Sequence, residues 1–250
     1  MGKSMKLLRD VHTHTNYSHG ENTIEEMVKK AVEVGLEEIQ ITEHGRFHYY
    51  ARKLNYERYL EMRNEVERLK PLYPQINILF GIESNVISTS GEIDVSSEEA
   101  KLFDVINVGF HCLCRLRFSA YFKFHLLFVL AYKLKLKCFV KPSYNACTKA
   151  MIKTLERNNI NMIAHPTSNY RFDIVEVAKK CEETNTILEI NDSRGEMSVE
   201  DVLLVKDMNV KFAVGSDAHS IRRVGSCDRA FEIIRDSGLD INKIVNVVEE

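Results

Sequence analysis

Seven of the nine histidines in this 250-residue chain stand at, or just beyond, the ends of short apolar runs, in company with one glutamate and one aspartate. His12 and His14 close KLLRDVHTH two positions apart, a spacing that puts both imidazoles on one face of an extended chain. His19 follows in the next loop. His44 ends EIQITEH, Glu83 ends ILFGIE, His111 ends VINVGFH, His165 ends MIAH, and Asp217 with His219 ends FAVGSDAH, again two apart. Imidazole-rich ligand sets select Zn²⁺, or another first-row ion such as Mn, Fe or Co, over Mg²⁺ and Ca²⁺, which take shells of oxygen. Nine such residues exceed what one tetrahedral ion uses; three per ion would fill three sites with positions left open for water and substrate. Three divalent ions against the single negative charges of Glu83 and Asp217 leave a surplus of about +4, which suits a phosphate dianion.

In a closed parallel barrel the carboxyl ends of all strands meet around one rim, so residues spread this widely along the chain would converge on one pocket. The strand candidates are Lys6–Thr13, Glu38–Thr42, Asn77–Ile82, Asp104–Phe110, Asn161–Ala164, Thr186–Ile190 and Lys211–Val214. Several are apolar almost throughout, as strands buried on both faces are. Helix patterns lie between them: Thr23–Val34 with Thr23 or Asn22 as cap and Gly35 beyond its end, Tyr56–Lys70, Cys147–Asn158, Asp173–Glu183, Val199–Lys206, and a helical pair from Cys227 onward. Seven strands alternating with helices predict an α/β fold, a distorted (β/α)7 barrel whose strand carboxyl ends share one rim. No linker or repeat interrupts the pattern, so residues 1–250 are expected to form one domain.

One stretch departs from the rhythm. Residues 105–155 carry nine Lys or Arg and no acid, so the net charge of -2 hides a remainder of 25 basic against 36 acidic residues, or -11. Within it, residues 113–141 read as an insertion between two barrel elements. An amphipathic helix is expected first, then a half-exposed strand over Lys133–Lys137. Its apolar core, Leu126–Tyr132, is too short to span a membrane, which takes about 20 residues. The run FHLLFVLAY is too apolar for a free loop and predicts burial in a partner chain, hence a homo-oligomer. Six cysteines without regular spacing, and no secretory signal at the start, indicate free thiols in the cytoplasm. Cys112-x-Cys114 lacks the second pair of a zinc ribbon. His48 and His125 have no ligand-like spacing and are expected to be a solvated loop residue and part of the insertion.

The segments HTHTNYSHG, ITEHG, GIESN, GFH, AHP and GSDAH resemble the PHP (polymerase and histidinol phosphatase) superfamily of phosphoesterases, from about Lys6 to Val224 with the insertion excluded. They look most like its stand-alone phosphatases with three metals, for EINDSR resembles their motif on the sixth strand. The resemblance implies that His12, His14, Glu83 and Asp217 hold one ion, that Glu83 bridges to a second held by His111 and His165, and that His19, His44 and His219 hold the third. It implies hydrolysis of a small-molecule phosphate monoester, histidinol phosphate among them, by a hydroxide held between two ions, with Glu83 and Asp217 at the catalytic centre. Arg194 is the first candidate to grip the phosphate, with Arg171, Arg222 and Arg223 behind it. A second reading keeps the metals and makes the substrate nucleic acid, as a 3′–5′ exonuclease or nucleotide phosphodiesterase, the basic stretch tracking the backbone. A third, a non-enzymatic binding module, would require lost ligands, and all nine are present.

Overall fold

The computed structural model describes residues 4–167, 170–193 and 196–250. Two short antiparallel strands, β1 (Met5–Leu7) and β9 (Val247–Glu249), form a small sheet of their own. The main sheet holds β2 (Arg9–Thr13), β3 (Glu38–His44), β4 (Asn77–Asn85), β5 (Val105–Gly109), β6 (Met162–Ile163), β7 (Ile187–Asn191) and β8 (Phe212–Gly215), all parallel and in chain order. The ring is nearly closed between β8 and β2, where the His14 amide donates to the Ala218 carbonyl (2.8 Å) and the Ser216 amide to Asp10 (3.2 Å). The barrel of seven strands is therefore as the alternation requires.

Helices α1 (Ile24–Glu33), α2 (Tyr56–Leu69), α3 (Val140–Arg157), α4 (Ile174–Thr184), α5 (Val199–Val205) and α6 (Asp228–Ser237) flank it. Burial explains their register: α1 turns Ile24, Met27, Val28 and Ala31 onto Ile39 and Ile41 in one continuous core. Thr23 is its cap and forms a capping box with Glu26, while Asn22 accepts from the Ile221 amide instead. Val11, Met162 and Ala213 form a second small cluster drawn entirely from strands. β2 and β6 are not neighbours in the sheet, so this cluster fills the barrel interior.

Three expectations need correction. The first strand run is two strands in different sheets, because the chain leaves β1 at Leu8, whose amide bonds Asn246, before β2 begins. The C-terminal pair is one helix, α6, then a 3₁₀ turn and β9; Val247 is buried, and Asn246 bonds the backbone of both Arg9 and Val214. Lys133–Lys137 is not a strand. β5 and β6 already pair with each other and leave no edge for it, and Lys135 takes a left-handed conformation (φ +56°) before a 3₁₀ turn at Lys137–Phe139 leads into α3, seven residues ahead of the expected Cys147.

The preceding part of the insertion is helical, with wide turns over Tyr121–Leu126 and Val129–Lys133. It packs on its own chain: Ala120 and Phe124 are fully buried, Phe124 lies edge-on to Phe110 (5.3 Å) and Phe128 edge-on to Tyr170 (5.1 Å). Phe118, Tyr121 and Phe122 remain exposed. Among the described residues no helix is long and apolar enough to cross a membrane.

Candidate metal centre

All nine ligand-type residues come together at the carboxyl ends of the strands. Glu83, at the end of β4, is the hub. Its Oε2 lies 2.7 Å from His44 Nδ1, and its Oε1 lies 2.6 Å from His165 Nε2 and 3.0 Å from His111 Nε2. The Nε2 atoms of His12 and His14 are each 3.6 Å from Oε2. Asp217 closes the other side, with Oδ1 3.3 Å from His14 Nε2 and 3.7 Å from His12 Nε2. His19 and His219 form the outer lip, 4.2 Å apart between ring centres, and both His14 and His19 pack against His44. Seven of the nine residues are buried; His219 is half-buried and His19 exposed.

Backbone geometry brings them this close. His165 (φ +29°) and Asp217 (φ +51°) both adopt left-handed conformations that cost a non-glycine residue energy and persist only where the surroundings impose them. A Cβ on Gly109 would sit 3.1 Å from the His165 ring and 3.2 Å from His111, so glycine leaves the room that lets these two reach Glu83.

The electrostatics suit a cation. Burial pushes Glu83 and Asp217 upward, but the surrounding histidines outweigh it and hold both well below the usual carboxylate range. Burial, with the charge of His219 adding to it, lowers His14 to about 3; burial likewise holds His44 well below the usual imidazole value. His12 and His165 move the other way because the carboxylates around them overcome burial. Yet both Glu83 oxygens, His44 Nδ1, both His111 nitrogens and His219 Nε2 are buried without an aligned hydrogen bond. Short distances with no donor geometry are what metal ligands show, since a buried polar atom otherwise costs about 1–3 kcal/mol. Three triads have donor atoms within 4.8 Å of one another: His12, His14 and Glu83; His44, Glu83 and His111; and His14, His44 and His219. The donor set, imidazole with carboxylate, fits Zn²⁺ and its first-row neighbours.

Several participants escaped the sequence reading. Glu189 on β7 is fully buried and lies 2.8 Å from His12 Nδ1, and it accepts from the His165 amide at 2.5 Å. The alternation of ILEIN, which puts Glu189 and Asn191 on one face, was the available signal. Gly215 accommodates it, for a Cβ there would collide with the Glu189 carboxylate. Glu43 is buried behind His44 and held by Thr15 and Ser18. His48 is a correction: it is buried, not solvated, and stacks on His44 at 4.0 Å with His111 edge-on at 5.1 Å. His125 stays away from the rim, its Nδ1 3.4 Å from the Tyr170 hydroxyl.

Of the candidate phosphate grips, Arg194 lies outside the described residues. Arg171 is exposed, Arg222 pairs with Glu21 at the surface (3.3 Å), and Arg223 pairs with buried Asp192 (2.8 Å). The six cysteines are free, and burial pushes the Cys114 thiol up.

Fold and site together define a metal-dependent hydrolase built on a parallel α/β barrel. The PHP domain description matches residues 10–193, and the chain belongs to that family, as a metal-dependent phosphatase or phosphoesterase. Probable phosphatases from Thermoanaerobacter sp. (strain X514) and Shewanella loihica (strain ATCC BAA-1088 / PV-4) are each 28% identical, over 97% of this chain and 91% and 90% of their own lengths. One from Acetivibrio thermocellus is 27% identical over 98% of this chain and 93% of its length. The crystal structure of histidinol phosphate phosphatase from Lactococcus lactis subsp. lactis, complexed with Zn, L-histidinol and phosphate, shares the fold with a TM-score of 0.65 at 19% identity, over 93% of this chain and 94% of that one.

Proposed function

We propose that this chain hydrolyses small-molecule phosphate monoesters, as histidinol phosphatases do, with three divalent ions of which Zn²⁺ is the first candidate. The carrying observation is Glu83, set among five imidazoles with both oxygens lacking aligned hydrogen bonds. His12, His14, Glu83 and Asp217 would hold one ion, Glu83 with His111 and His165 a second, and His19, His44 and His219 the third. Ions bound there lower the pKa of water toward neutrality and neutralise charge gathering on the phosphoryl oxygens. The protein's own part is placement. Glu189 fixes His12 through Nδ1, so that its Nε2 faces the cluster. Exposed His19 and half-buried His219 leave the mouth open to a small ester, and Arg194 is the residue assigned to the phosphate.

Water adds to phosphorus, the ester P–O bond breaks and the alcohol leaves with a proton. We take residues 1–250 as one barrel domain with the insertion near 113–141, working in the cytoplasm with its cysteines as thiols. Self-association would use the exposed ring face of Phe118, Tyr121 and Phe122. Phosphate release from histidinol phosphate, from p-nitrophenyl phosphate and from a 3′-labelled oligonucleotide tests the substrate class. Turnover of the oligonucleotide alone would replace this proposal with the nuclease reading. An Arg194→Ala variant with unchanged kcat and KM would remove Arg194 from the site.

A further inference from the structure

Beside the rim lies a pocket of about 520 Å³ whose lining includes Arg46, Arg52 and Arg115 and no acidic side chain. Its walls are the two segments that also carry rim histidines. Tyr49 follows His48, and Cys112 follows His111. The segments are laced together: His48 and Cys114 form an antiparallel bridge, the Tyr49 amide donates to the Leu113 carbonyl (2.8 Å), and the Arg115 amide donates to the Phe47 carbonyl (2.9 Å). Aromatic rings continue the path, since Tyr49 meets Tyr50 edge-on at 5.4 Å and Tyr50 packs on His19 at 4.7 Å.

The three guanidiniums are not equivalent. Arg46 is neutralised by buried Glu99 at 2.6 Å. Arg52 lies 4.0 Å over the Tyr49 ring and Arg115 4.6 Å over the Phe47 ring. Among the described residues neither has a carboxylate within ion-pairing distance. A guanidinium stacked on a ring is held flat by the stack. Arg52 Nε donates to the Tyr49 carbonyl (3.0 Å), which leaves its two terminal nitrogens to face a planar or tetrahedral anion. Both guanidiniums line the same pocket, each four residues beyond a histidine of the cluster, His48 and His111, and their charge is not balanced there by a carboxylate.

We propose that Arg52 and Arg115 bind a second anionic group, phosphate or carboxylate, on the far end of the phosphate ester hydrolysed at the rim. The proposal rests on the phosphatase reading and narrows its substrate class to esters with two anionic ends. A leaving group with an ammonium, such as histidinol, would bring a cation toward uncompensated arginines and is disfavoured.

The test uses the full, metal-loaded chain and probes built on one six-carbon diol: its monophosphate, its bisphosphate, and the matching phosphate ester ending in a carboxylate. The two doubly anionic probes should exceed the monophosphate in kcat/KM by about tenfold, about 1.4 kcal/mol. Which of them exceeds it more identifies the group. Arg52→Gln and Arg115→Gln should each shrink the ratio, and the double variant should bring it near one. Arg115→Lys should keep part of it, and Lys101→Gln, an exposed partner of Glu98, should leave it intact. No preference in the unaltered protein, or a preference that survives the double variant, overturns the proposal. Calorimetric titration with six-carbon bisphosphonate and monophosphonate separates the two levels. If the bisphosphonate binds about tenfold tighter through the arginines while no ester is hydrolysed, the pocket stands and the phosphatase reading falls.

Discussion

His12 Nδ1 lies 2.8 Å from Glu189 Oε1, inside the barrel between β2 and β7, and both side chains are fully buried. The contact settles which ring nitrogen of His12 faces Glu83 and Asp217. It also fixes the loop after β6, because the other Glu189 oxygen accepts the His165 amide. One carboxylate thus positions two candidate ligands, His12 through its ring Nδ1 and His165 through its amide.

Glu189→Gln should therefore weaken metal retention. An amide cannot take the negative end of the carboxylate–histidine pair, and such losses cost about 10–100-fold in metal affinity or activity. Metal content after dialysis, measured by elemental analysis beside phosphatase rate, checks it. Full metal content with full rate would show that Glu189 is only structural.

Exhaustive chelation should abolish phosphatase activity and lower Tm, and Zn²⁺, Mn²⁺ or Co²⁺ should restore both. The stability change follows from mass action, about 2.7 kcal/mol for an ion present at 100 times its Kd. Activity undiminished after chelation would end the metal-assisted scheme.

Glu43 should give a pH dependence to the stability of the metal-free protein. Burial raises its carboxyl from 4.5 to about 7, although Thr15 and Ser18 hydrogen bonds oppose the shift. A folded pKa above the unfolded one means that its contribution is complete below about pH 4.5 and lost as pH rises through about 7. Relative to Glu43→Gln, the unaltered protein should lose Tm between about pH 5 and pH 8. Parallel Tm curves for the two proteins would contradict this.

Phe124→Ala should destabilise the fold by about 3–5 kcal/mol, the usual cost of emptying a buried phenylalanine site. Phe124 is fully buried against Phe110, so the insertion is part of the core. Deleting residues 113–141 should likewise lower Tm. Urea unfolding of the variant with an unchanged midpoint would mean that the segment is a detachable surface loop.

How much of this was legible beforehand depends on the range of the interaction that decides it. Strand ends, the seven-strand count and the nine ligand-type residues follow from local patterning, and the barrel rule brings them to one rim. Lys133–Lys137 misled because alternation marks a strand only where a sheet edge is free. His48 and Glu189 were missed for a related reason, since one lies in a short loop and the other on a strand that carries no candidate ligand.

By itself the sequence determined the alternation of elements, the identity of the metal-seeking side chains and the family resemblance, because these are encoded in residue type and in spacing over a few positions. Only the tertiary structure decided that Glu83 sits among five histidines, that Glu189 stands behind His12, that the insertion folds onto its own core, and that Arg52 and Arg115 flank one pocket. Each of those facts is a meeting of residues far apart in the chain, where distance and burial set the energy and no local pattern records the partner.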